Sequence, residues 1–267
     1  MAGNTKALRV RIKSVTSTLQ LTKAMELVAA SKIRRANDAM FKGREYGASL
    51  EKAISVLTSS RECARSPYLQ KRETGRTRII VIAGDRGLAG GYNANVFRLA
   101  AEYRDAEFIP IGKRACERFG APVVSSERFS FEDAASLADK LCEDFAKGEF
   151  DKLGIIATKY NSVMLQEAFI KWILPLDGEV KNDSAATVFE PDTLTVLNNV
   201  VREYVAGIVT VLARESFASE VSARRMAMDS AGKNARQMIS ELQLEYNRAR
   251  QGAITQEITE IVAGSGN

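Results

Sequence analysis

Between Leu8 and Leu57 a seam of residues recurs at alternating spacings of three and four: Leu8, Ile12, Val15, Leu19, Thr22, Glu26, Ala29, Ile33, Ala36, Met40, Gly43, Gly47, Leu50, Ile54 and Leu57. Eleven of the fifteen are apolar. A heptad pattern sustained this long predicts one side of a coiled coil. Thr22 and Glu26 thin the seam, and Ala29 and Ala36 are small enough to let a partner backbone approach closely. A second proline-free stretch runs from Asp192 to Val262. It predicts a helix of about 70 residues, about 105 Å long. Val201, Val205, Ile208 and Leu212 form its first seam; Ala235, Ile239, Leu242, Tyr246, Ala249 and Ala253 form a second in a different phase. The change of phase falls at Ser216 to Gly232, where the supercoil should alter. Two such rods do not fit inside a ball of 267 residues. They are expected to pair, antiparallel, into a shaft.

All five prolines lie between the rods. Residues 61–75 are polar and charged and contain Ser66-Pro67, which ends a helix. The pattern then alternates. Apolar runs at Ile79–Ala83, Phe108–Ile111, Leu153–Ala157 and Ala168–Leu174 predict strands, with a further short one at Pro122–Val124. Helical patterns fall at Asn93–Tyr103, Lys113–Phe119 and Phe131–Phe145. Such alternation predicts an α/β unit with a mostly parallel, Rossmann-like sheet. Its last two strands should form a hairpin through Asn161-Ser162. The expected division is an N-terminal helix at 1–60, a linker at 61–75, an α/β domain at 76–190 and a C-terminal helix at 191–267. Asp177–Glu190 is expected to be a polar, mobile stretch.

Charge adds to this picture through its distribution. The net charge is +5, yet Met1–Arg44 alone carries ten Lys/Arg against two acids, while Arg214–Asn267 carries seven of each sign. The basic surplus belongs to the first helix and implies an acidic partner. There is no unbroken run of about 18 apolar residues, so no membrane span is expected. The first helix is basic enough to raise the question of a transit peptide, but its pattern continues unbroken to Leu57, which favours structure over address. Cys63, Cys116 and Cys142 sit at no motif spacing, which points to a reducing compartment. Histidine is absent, which removes Ser-His-Asp, Cys-His and histidine-based zinc chemistry.

Gly84-Asp85-Arg86-Gly87-Leu88-Ala89-Gly90-Gly91 lies between a strand and a helix, where a phosphate loop belongs. Its glycines fall at the first, fourth, seventh and eighth places and match neither the dinucleotide nor the triphosphate pattern. A tight turn with an exposed arginine is the preferred reading. A nucleotide-dependent α/β enzyme with coiled-coil appendages is the alternative. Lys32, Arg34 and Arg35 form a basic cluster whose default is a solvated face. Binding to nucleic acid would call for interleaved aromatics, and none precedes Phe41.

Three motifs carry a resemblance that covers essentially the whole chain. They are Thr22-Lys23-Ala24-Met25-Glu26-Leu27-Val28-Ala29-Ala30-Ser31-Lys32, then Asp85-Arg86-Gly87-Leu88 with Gly90-Gly91, and Glu241 to Gln251 followed by Ile254 to Val262. Together they resemble the gamma-subunit family of bacterial F-type ATP synthases. The resemblance implies a central-stalk rotor that is not itself an enzyme and holds no cofactor or metal. It implies as partners the alpha and beta subunits of a hexameric ring, the epsilon subunit and the membrane c-ring, with no nucleic acid and no direct membrane insertion. The rotor would carry rotation of the c-ring to catalytic sites on beta and so couple proton flow to ATP synthesis or hydrolysis. By the same resemblance Lys32, Arg34, Arg35 and Arg86 face acids of beta, and Arg250, Gln251 and Thr255 contact a beta loop. The seam residues Leu8, Ile12, Val15, Leu19, Ile33, Ile239, Leu242 and Tyr246 hold the shaft together. Ala89 stands where many relatives have cysteine, and the body has no cysteine-bearing insertion of the chloroplast kind. A bacterial protein is expected, peripheral on the cytoplasmic face of the inner membrane.

Overall fold

A computed structural model describes residues 2–72, 75–177 and 189–264. The long helices are α1, Ala2–Thr58, and α5, Thr193–Gly264. Between them lie β1 (Thr77–Ile82), α2 (Tyr92–Ala100), β2 (Glu107–Ile111), α3 (Lys113–Phe119), α4 (Phe131–Lys147), β3 (Lys152–Tyr160) and β4 (Gln166–Leu174). The chain divides into two compact units, Ser31–Ala223 and a second made of Met1–Ala30 with Arg224–Asn267. Both long helices therefore contribute to both units.

In the larger unit the sheet order is β2-β1-β3-β4. β1 pairs in parallel with β2 and β3, and β3 and β4 form the expected antiparallel hairpin. The apolar runs become strands because both faces of β1 are covered, as in parallel sheets generally. Ile80 and Ile82 join Leu141 and Phe145 of α4 and Leu197, Val201 and Val205 of α5 in one cluster. Ile79 and Val81 face Val96 and Ala100 of α2 and Ala115 of α3 in the other. The start of α5 is thus one layer of the α/β core. An 18-residue window of α5 is apolar enough by composition to cross a membrane, and 67% of that window is buried.

The helix ends follow from local chemistry. Ser130 and Asp133 form a reciprocal capping box at the start of α4. Asp192 accepts the Thr195 N–H at 2.8 Å at the start of α5. Arg78 on β1 donates to Asp144 at 2.5 Å and Glu107 at 2.7 Å and lies 4.7 Å from the centre of the Phe150 ring.

Within this unit α1 and α5 run antiparallel. Ala36 and Met40 cluster with Ala218, and Gly43 and Gly47 lie against Val211. Gly207 in turn lies beneath Tyr46 and Leu50. Rising numbers on α1 meet falling numbers on α5. In the smaller unit Gly232 of α5 lies against Leu19 and Thr22 of α1.

Three expectations change. Residues 61–69, read as part of a linker, form two short 3-10 helices that bury Cys63, Ser66 and Tyr68. Ser66 Oγ is 2.7 Å from Asn198 Oδ1 on α5. Pro122–Val124 is no strand: it would have to extend the sheet beyond β2, Pro122 has no N–H to offer, and although the Val124 carbonyl accepts the Gly112 N–H at 3.0 Å, the Val124 N–H turns to the Cys116 sulfur at 3.4 Å. The weak periodicity of Ser216–Gly232 begins as a buried polar contact. β1 pairs with β3 only as far as Ile156. Beyond that, Ser216 Oγ accepts the Thr158 N–H at 3.1 Å and Ser219 Oγ donates to its carbonyl at 3.3 Å. Glu215 accepts the Tyr160 N–H at 3.0 Å and pairs with Arg44 at 2.7 Å. The expected mobile stretch lies largely outside the described residues, at 178–188.

Gly112 joins β2 to α3 with φ 100°, and a Cβ there would overlap the Ala83 carbonyl. Gly120, also left-handed at φ 67°, has nothing near its Cβ direction. Gly112→Ala is expected to destabilise the protein by at least 3 kcal/mol, roughly the sum of dihedral strain and a backbone clash. Gly120→Ala should lose only about 1–2 kcal/mol. Urea unfolding of the two variants checks the difference.

Candidate functional site

The loop after β1 is organised by Asp85. Its carboxylate accepts the backbone N–H groups of Lys113 at 3.0 Å, Ser126 at 2.9 Å and Glu127 at 3.2 Å, and the Ser125 hydroxyl at 2.5 Å. Partial burial pushes the Asp85 pKa up, but the Ser125 hydroxyl and the three N–H groups outweigh it, and the pKa falls below its ordinary value. The side chain fastens segment 125–127 to the start of α3. Asp85 stood in the sequence only as part of the Asp85-Arg86-Gly87-Leu88 motif; its organising role was not legible there, because its partners lie 28 to 42 positions away.

The first glycine of the loop has an equally local reason. A Cβ on Gly84 would stand 2.6 Å from the carboxyl carbon of Glu220, itself buried. Gly84 therefore leaves room for the Glu220 carboxylate, which a side chain at this position would displace. Leu88 is 60% exposed and holds a left-handed backbone, φ 60°. That conformation is costly for a side chain of this kind and is kept where surrounding structure enforces it.

Lys32 on α1 pairs with Glu127 at 2.5 Å. Through Glu127, segment 125–127 and Asp85, it is tied to the loop that carries Arg86. Arg34, Arg35 and Arg86 are exposed. In the smaller unit Arg250, Gln251 and Thr255 lie exposed on α5, and the Thr255 hydroxyl donates to the Gln251 carbonyl at 2.9 Å. Ile254, Ile258, Ile261 and Val262 beside them are exposed as well. Of the seam residues, Leu8 and Leu242 are buried, and Ile12, Val15, Leu19, Ile33, Ile239 and Tyr246 are half-buried.

Burial pushes the Cys142 thiol up to about 12 and raises the Cys63 thiol. Both thus stay protonated and unreactive near neutrality. Among the described residues no cluster of three acidic, cysteine or histidine side chains could hold a metal.

The fold is an α/β body with paired long helices that carries exposed basic and polar side chains. A family model described as ATP synthase matches residues 4–266. The ATP synthase gamma chain of Ruminococcus albus is 39% identical, over 99% of each chain. That of Psychrobacter arcticus is 35% identical over 97% of each. The chain belongs to the ATP synthase gamma-chain family. A chain of the Euglena gracilis mitochondrial ATP synthase (OSCP/F1/c-ring, rotational state 3) matches at TM-score 0.69 and 18% identity, over 99% of this chain and 94% of that one. A chain of the Tetrahymena thermophila central stalk and c-ring matches at TM-score 0.61 and 21% identity, over 79% and 99%. At these identities the structural likeness speaks for the fold.

Because folding lowers the Asp85 pKa, its contribution to stability is present above the ordinary value near 3.8 and is lost as pH falls through the folded value. Asp85→Asn keeps one acceptor oxygen and sets an amide against the remaining donors. It should destabilise the protein by about 1–3 kcal/mol at neutral pH. Denaturation measured across pH should show the wild-type advantage constant above pH about 4 and shrinking below it.

Proposed function

We propose that this chain is the central-stalk rotor subunit of an F-type ATP synthase. It carries rotation of the membrane c-ring into the ring of three alpha and three beta subunits. The observation that carries this reading is the gamma-chain relationship along the full length of the chain, shared with the order helix, α/β body, helix. The subunit itself does no chemistry. Its lack of histidine and its buried thiols support that. It acts by offering different surfaces to the three beta subunits as it turns, and only such differential contact can shift their states.

Lys32, Arg34, Arg35 and Arg86 are the cations that meet acidic groups of beta, and Arg250, Gln251 and Thr255 meet a beta loop. The exposure of Arg34, Arg35, Arg86, Arg250, Gln251 and Thr255 supports the assignment; Lys32 is half-buried and pairs with Glu127. Exposed ion pairs contribute about 0–1 kcal/mol each. A track of weak contacts lets a rotor pass without sticking. The working divisions are the helices at 1–60 and 191–267 and the body at 76–190. The body binds epsilon and the c-ring, on the cytoplasmic face of a bacterial inner membrane. The absence of a cysteine-bearing insertion from the body supports the bacterial assignment.

Replacing Arg250 and Gln251 together by alanine should lower ATP synthesis by the reconstituted complex while leaving the chain folded by circular dichroism; normal synthesis would remove these residues from the contact. Reversing charge at Lys32, Arg34 and Arg35 should change the ATPase rate of the assembled complex. An unchanged rate would make them solvated side chains. The isolated chain should hydrolyse no ATP, and hydrolysis abolished by changing Gly87 would favour the nucleotide-dependent enzyme instead.

A further inference from the structure

The larger unit holds a cleft of about 570 Å³ beside the α1 segment 31–39, the α5 segment 213–217 and segment 126–129. Small organic ligands occupy cavities of about 300–1,000 Å³. The space exists because Ala36 and Ala39 on α1 and Ala213 on α5 are small. Its apolar lining is anchored. Phe129 packs on the main core, and Phe217 packs on the cluster of Ala36, Met40, Tyr160 and Ala218. Its cations are unequal. Lys32 is taken up by Glu127 at 2.5 Å. Arg35 and Arg214 also line the cleft, and neither forms an ion pair among the described residues.

We propose that this cleft is a binding site for a small organic anion, a phosphate or carboxylate carried on a flat apolar body. The anionic head pairs with the guanidinium groups of Arg35 and Arg214, whose planar donor forks suit such oxyanions. The flat body lies against Phe129 and Phe217. Glu127 tunes the affinity, because it adds a negative charge to the lining and holds the Lys32 ammonium. The site makes no use of rotation and stands apart from the rotor reading. Arg35 serves in both, so a bound anion would compete with any acidic group that approaches Arg35 from outside.

The test is a calorimetric titration of the full chain with 1-naphthyl phosphate, with inorganic phosphate and 1-naphthol as head-only and body-only probes. The expected result is saturable binding of one naphthyl phosphate per chain, tighter than either fragment. Arg35→Gln with Arg214→Gln should weaken it about tenfold or more, and Glu127→Gln should tighten it several-fold. Circular dichroism reports whether the double variant folds; if it does not, the single variants and Glu127→Gln carry the test. Absence of saturable binding, or an affinity indifferent to Glu127→Gln and to both arginine changes, would overturn the proposal. Saturable binding of polyglutamate with none of naphthyl phosphate would also overturn it, in favour of an acidic protein segment.

Discussion

The far end of β3 constrains the rest of the larger unit. β1 stops short of it, and the backbone groups of Thr158 and Tyr160 would be left without strand partners on that edge. Glu215, Ser216 and Ser219 of α5 supply the missing hydrogen bonds, and Arg44 of α1 holds the Glu215 carboxylate while donating to the Tyr160 carbonyl at 2.6 Å. One cluster therefore fastens both long helices to the sheet. Such a contact cannot slide. The Glu215 carboxylate is buried while the Arg44 side chain is 37% exposed, so the anchor lies chiefly in Glu215 and the hydrogen bonds it accepts from Arg44 and the Tyr160 N–H. A rotor needs this property where its body meets its helices, because force delivered to the body must turn the helices with it.

The outward surfaces have the opposite character. Arg34 and Arg35 of α1 and the polar residues Arg250, Gln251 and Thr255 near the end of α5 are exposed, and exposed contacts are individually weak. Fixed polar bonds inside and exchangeable ones outside form a consistent division of labour.

How much of this could be read from residues alone depended on the range of the interactions. The seam from Leu8 to Leu57 was legible because a heptad repeats locally, and every one of its positions is buried or half-buried. Strands β1 and β3 were legible because two covered faces demand unbroken apolar runs, and the edge strands β2 and β4 because they remain largely apolar. The Asp85 hub was not, since its donors are backbone groups with no signature of their own. The Ser216–Ser222 segment registered only as lost periodicity; Ser216 and Ser219 are polar because they serve a strand end some 60 positions away. Cys63 and Tyr68 were hidden in a stretch whose charged neighbours resemble a linker. Of the candidate surface, the residue types were legible. The bond from Lys32 to Glu127, which leaves Arg35 and Arg214 as the unpaired cations of their cleft, was not.

The central claim is that the body and its helices turn as one piece against a stationary ring. It is tested most directly by assembling this chain with alpha and beta subunits, fixing the ring to a surface and attaching a bead to the α/β body. On addition of ATP the account predicts rotation in one direction, in steps of a third of a turn. Sustained ATP hydrolysis with a bead that shows only random angular motion would contradict it.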